Sequence, residues 1–89
     1  MRLDNFVSDL GIVKRRTVAK ELADGGRIKV NDRKAKPAHK VKIGDIIEIT
    51  GRQHIKIRVK NIPSKSVPRE SRPEYFEILI KERPDDIGI

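Results

Sequence analysis

With 89 residues, 36% of them apolar and only 3% aromatic, the chain can build one small domain, and its core must come from Ile, Val and Leu. The absence of cysteine excludes disulfides, thiolate metal sites and a cysteine nucleophile, and the length leaves no room for a large enclosed active site. Eleven of the 21 Lys and Arg residues lie between Lys14 and Lys42, opposed there only by Glu21, Asp24 and Asp32, so that one segment carries the whole formal net charge of +8.

The first residues, which include Arg2, Asp4 and Asp9, do not resemble a signal peptide, and no stretch reaches the length of a membrane span; a cytoplasmic protein is expected. Leu3, Phe6, Val7 and Leu10 recur at helical spacing, and Asp4 falls in the first turn, where the helix dipole favours an acid. Gly11 is expected to end this helix. After the Lys14-Arg15-Arg16 linker, Thr17 is placed to cap a second helix over Val18–Asp24, with Val18, Ala19, Leu22 and Ala23 on its buried side. Gly25-Gly26 stops it.

The period then changes to two. Arg27-Ile28-Lys29-Val30 alternates basic with apolar, Asn31-Asp32 is a turn pair, and Arg33–Lys36 returns as a short strand. Lys42-Ile43-Gly44-Asp45 turns into a strand over Ile46–Thr50, Gly51-Arg52 turns again, and His54–Lys60 alternates with Ile55, Ile57 and Val59 inward. Ser64–Pro73 reads as a linker rich in Pro, Ser and charge. Tyr75–Glu82 is a late strand with Phe76, Ile78 and Ile80 on one face, or a short helix for which Ser71 and Glu74 stand at capping-box spacing. The last residues read as an acidic, frayed tail.

A field this local attracts a polyanion, most simply nucleic acid. A helix start offers open N–H groups and partial positive charge to a phosphate, and here three cations precede it. Lys20 follows Arg16 by one turn. Arg15 and Arg16 can each grip two phosphate oxygens through a planar fork. Alone, that run is equally a solvated linker. The Arg27 and Lys29 face, with Asn31 as donor and acceptor, suggests one continuous basic surface shared by helix start and strand.

Four pieces now stand in order: Met1-Arg2-Leu3-Asp4-Asn5-Phe6, Lys14-Arg15-Arg16-Thr17-Val18-Ala19-Lys20-Glu21, Gly26-Arg27-Ile28-Lys29-Val30-Asn31 and Val41-Lys42-Ile43-Gly44-Asp45. Together they resemble the S-four-type RNA-binding domain, the αL motif. The likeness runs from Met1 to about Lys60. It implies an α+β fold, with two short N-terminal helices packed on a small, mostly antiparallel sheet of four to five strands. Residues 1–62 would form the RNA-binding domain, and 63–89 a linker with a C-terminal strand or short helix and a tail. By position, the resemblance assigns RNA contact to Arg2, Lys14, Arg15, Arg16, Thr17, Lys20, Arg27, Lys29 and Asn31, with Lys34 and Lys36 flanking them.

The resemblance also implies a function. Stand-alone members of this family bind the large ribosomal subunit when peptidyl-tRNA obstructs it, in quality control or as a heat-shock recycling factor. The expected partners are therefore large-subunit rRNA, peptidyl-tRNA and a quality-control partner protein, with the free chain a monomer. The rival of another class is a recognition accessory of an rRNA-modifying enzyme. No catalytic residue, metal or cofactor is expected. His39 and His54 have no partner at ligand spacing and read as surface histidines. Asp4 reads as a helix-start acid, or alternatively as the group that orients Arg15 or Arg16. Tyr75 and Phe76 read as core rather than base-stacking platforms.

Overall fold

A computed structural model describes residues 1–51, 53–64 and 67–82. The turn residue Arg52 and the acidic end of the tail therefore lie outside the described residues. Two helices, α1 (Leu3–Asp9) and α2 (Arg16–Asp24), precede strands β1 (Ile28–Val30), β2 (Arg33–Lys34), β3 (Ile46–Thr50) and β4 (His54–Val59). A 3-10 segment, Arg69–Glu74, occupies part of the expected linker and leads into β5 (Phe76–Glu82). The sheet has the order β2-β1-β3-β4-β5, and every pairing is antiparallel. The α+β architecture is thus the one expected, and the alternative between strand and helix near the end resolves to strand.

The apolar period of α1 is buried throughout: Leu3, Phe6, Val7 and Leu10 are at most 1% exposed. They pack with Ile28, Ile47, Ile57 and Val59 from one face of the sheet. Full burial of each such side chain stabilises the fold by roughly 1.5–3 kcal/mol. Gly11 closes α1 in the left-handed region at φ +72°, and its N–H donates to the Ser8 carbonyl at 3.1 Å. A Cβ there would overlap the Arg72 guanidinium. Arg72 thus supplies a cation near the end of α1, whose own last turn has none.

Three expectations need correction. First, α2 begins at Arg16, with Arg15 as its cap in extended conformation, and Thr17 makes no capping hydrogen bond. Second, Val18 is 40% exposed, because the buried stripe of α2 runs through Ala19 and Ala23, and Val18 stands one step round the helix from it. Third, Phe76, Ile78 and Ile80 do not share a face. A bulge at Leu79 sets Ile78 opposite Ile57 but Ile80 opposite Lys56, so parity flips within β5. Ile78 stays 51% exposed, at the rim of an apolar groove it shares with Val18, Leu22 and Phe76.

Candidate nucleic-acid interface

The interface is organised around a buried acid. Asp4 is 1% exposed, at the first turn of α1. Arg2 Nε donates to its Oδ1 at 3.1 Å, and Arg2 Nη2 donates to its Oδ2 at 3.2 Å. Arg16 Nε, at the start of α2, reaches the same Oδ2 at 3.5 Å. The Asn5 N–H also donates to Oδ1, at 2.8 Å. Burial pushes the Asp4 carboxyl up, but the Arg2 hydrogen bond, the Asn5 N–H and the charges of Arg2 and Arg16 together outweigh it. The group is held below its usual range and stays ionised. So the orienting role, not only the dipole role, belongs to Asp4. It acts on Arg2 and Arg16, and no contact to Arg15 accompanies them.

Both arginines remain half exposed, at 46% and 57% of their side-chain area, so their outer N–H groups are free to meet a ligand. Beside them, no side chain caps the first turn of α2. Its open N–H groups, the exposed Lys14, Arg15 and Thr17, and Lys20 one turn along make a positive corner suited to phosphate.

This corner continues in a direction the strand pattern did not suggest. Lys29 alternates with the buried Ile28 and Val30, so it points to the sheet face away from the helices. It pairs across β1–β2 with Lys34 and across β1–β3 with Glu48, the latter on a mixed-charge face. The expected continuity from helix start to strand face is therefore broken by the sheet itself. Arg27 is exposed just before β1, and Lys36 is exposed in the excursion 35–41. That excursion lies against the start of α1: Leu3 N–H donates to the His39 carbonyl at 2.8 Å and Asp4 N–H to the Pro37 carbonyl at 3.1 Å. An antiparallel bridge pairs Arg2 with Lys40. The basic surface thus runs from α2 through Arg2 to Lys40, a residue that periodicity had no means of selecting.

Asn31 has a structural task. With Asp32 it holds positive φ, 52° and 68°, in the two-residue turn that joins β1 to β2. Its Nδ2 donates to Asp45 Oδ1 at 3.1 Å, and its Oδ1 accepts the Ile46 N–H at 3.0 Å. One N–H of its amide remains for a ligand. Among the described ion pairs, Arg16 is the sole Lys or Arg between Lys14 and Lys42 that meets a carboxylate. The field there is correspondingly little neutralised. His54 is not isolated, since its Nε2 lies 2.6 Å from Glu48 Oε2. That hydrogen bond leads the causes holding the Glu48 carboxyl below its usual range, against its partial desolvation.

Against known proteins, the profile of the S4 domain matches residues 1–47. The chain belongs to the S4-domain family. An RQC P-site tRNA stabilizing factor of Listeria innocua is 39% identical over 97% of this chain and 94% of its own. The protein of that name from Bacillus subtilis is 36% identical over 93% and 96%. Among solved structures, Heat Shock Protein 15 of Vibrio cholerae, described as trimeric, superposes with a TM-score of 0.79 at 24% identity, over 88% of this chain and 80% of that one. At that identity it speaks for the fold alone. A hypothetical protein solved in solution gives 0.77 at 32% identity, over 92% and 100%. S4 proteins are RNA-binding proteins, and the basic corner described above lies largely within the matched residues.

Proposed function

We propose that this S4 protein is a non-catalytic RNA-binding factor of ribosome-associated quality control. It binds large-subunit rRNA and the P-site tRNA on subunits obstructed by peptidyl-tRNA, and it acts in the cytoplasm. The observation that carries the reading is the buried Asp4 holding Arg2 and Arg16 together on an otherwise unneutralised basic corner. A buried charge costs desolvation, and here the bonds from Arg2, the Asn5 N–H and Arg16 offset that cost while fixing both arginines to one carboxylate. The full-length relatives named for stabilizing P-site tRNA support the same reading.

A surface this small discriminates poorly between RNAs by phosphate contact alone. Selectivity for obstructed subunits then comes from touching rRNA and tRNA together, where two weak contacts on one rigid body reinforce each other. Co-sedimentation at fixed salt tests this. Affinity should be clearly higher for large subunits carrying peptidyl-tRNA than for empty ones, and Arg2→Ala should erase most of that difference. Equal binding to both particles would reject the quality-control role and leave a general rRNA-binding or enzyme-accessory role.

A further inference from the structure

Between the β1–β2 turn and β3, the chain from Asn31 to Asp45 folds into a concavity of about 550 Å³. The buried Val30 and Ala35 line it, and so do four cations, Arg33, Lys34, Lys40 and Lys42, with His39. None of the four cations meets a carboxylate among the described ion pairs. Asp45 is the acid of this concavity, but its oxygens already serve the fold. Oδ1 accepts Asn31 Nδ2 at 3.1 Å, and Oδ2 accepts the Lys42 N–H at 2.9 Å with His39 Nε2 at 3.9 Å.

The loop is also fixed before any ligand arrives. Ala35 N–H donates to the Ile28 carbonyl at 3.0 Å, Asn31 N–H to the Ile46 carbonyl at 2.8 Å, and Val41 N–H to the Met1 carbonyl at 2.9 Å. A ligand therefore need order only the outer ends of the lining cations, which lowers the entropic cost of binding. Because residues paired across an antiparallel bridge project to the same side, Lys40 stands beside Arg2. The cup is thus contiguous with the corner at Arg16.

We infer that this cup binds one phosphodiester group of RNA, taken by Arg33, Lys40 and Lys42 at the far end of the surface that begins at Arg16. The inference rests on the RNA-binding reading and extends it to residues outside the family-assigned set. Arg33 supplies the planar fork, and the two lysines supply point charges.

The test compares two triple variants of the full chain. Arg33→Ala/Lys40→Ala/Lys42→Ala removes the three cations assigned to the phosphodiester and leaves Lys34 in place. Lys56→Ala/Arg58→Ala/Arg69→Ala removes the same charge elsewhere. Binding to purified large-subunit rRNA should fall about tenfold in the first and less than about threefold in the second, and the log–log salt slope should lose roughly one unit only in the first. Inorganic phosphate should saturably shift the amide resonances of Arg33, Lys42 and Asp45 in the wild type and not in the cup variant. Single Lys40→Ala and Lys42→Ala variants, both at exposed positions, repeat the measurement should the triple fail to fold. Equal losses in the two triples would overturn the cup as a defined site. Phosphate binding without any effect on rRNA affinity would overturn it as an RNA site and leave a pocket for free phosphate compounds. Loss of rRNA binding on Arg16→Ala with none from the cup variant would reject the cup while sparing the RNA reading. No loss from either would reject both.

Discussion

Asp4 and Asn31 show how one side chain can be local punctuation and long-range organiser at once. Asp4 occupies the first turn of α1, where the dipole alone accounts for an acid, so its second task, joining Arg2 to Arg16 across the α1–α2 loop, has no periodic signature. Its folded pKa lies below its unfolded value. The stability it contributes is therefore present above the ordinary carboxylate range and lost as pH falls through the folded pKa. Denaturant titrations should show wild-type stability declining below about pH 4, and Asp4→Asn should flatten that decline. At neutral pH the same variant, with both arginines released, should bind rRNA roughly fivefold more weakly, about 1 kcal/mol. Undiminished binding would mean the arginines need no positioning. Asn31 was legible as a turn residue, but its bonds to Asp45 and Ile46 span some fifteen positions and follow from no local pattern. Asn31→Ala should cost about 2–3 kcal/mol, from positive φ and two lost hydrogen bonds, whereas Asn31→Gly should recover about 1 kcal/mol of that loss. Thermal melts check both. Any loss of RNA affinity beyond the unfolded fraction would assign the remaining amide N–H a direct contact.

The elements were readable wherever one face is buried and the other wet. Helix α1 and strands β3 and β4 carry clean periods because each puts a single face on the core. The misreadings fall where a contact distant in sequence overrides local preference. Arg16 is helical beside Asp4, so α2 starts there and not after Thr17. The bulge in β5 is set by pairing with β4, and nothing within Phe76–Glu82 announces it. Strand β5 nonetheless caps the sheet, which makes the tail a structural element while the family-assigned cations lie within residues 1–62. We expect a fragment ending at Ile62 to melt well below the full chain and to self-associate through β4, newly exposed as an edge. Its folded fraction should keep rRNA affinity within about threefold, because every cation of the proposed surface lies within 1–62. Phe76→Ala in the full chain gives the parallel measurement if the fragment does not fold, with a cost of about 3 kcal/mol or less at this half-buried site and no change in affinity. Affinity lost without unfolding would move RNA contacts into the tail.

At the scale of the molecule, the decisive quantity is where the charge sits. The concentration of +8 between Lys14 and Lys42 was visible in the sequence. Its distribution over two sheet faces was not, because the side that Lys29 takes depends on which face of β1 the helices cover. Folding gathers Arg2, Arg16 and Lys40 on one side and leaves Lys29, Lys56 and Arg58 with Glu48 and Glu77 on the other. Binding should therefore be electrostatic yet directional. If four to six phosphates are neutralised, the log–log slope of affinity against salt should be roughly −3 to −5. Charge reversal distinguishes a defined site from diffuse attraction at constant net charge. Arg16→Glu and Arg69→Glu alter the total equally, and both side chains are exposed, but only Arg16 belongs to the corner held by Asp4. Arg16→Glu should weaken rRNA binding by at least about tenfold and make the slope shallower by about one unit, while Arg69→Glu should leave the slope unchanged. Equal losses from the two would mean that rRNA responds to net charge alone, and the corner would then be no more than the place where that charge happens to be densest.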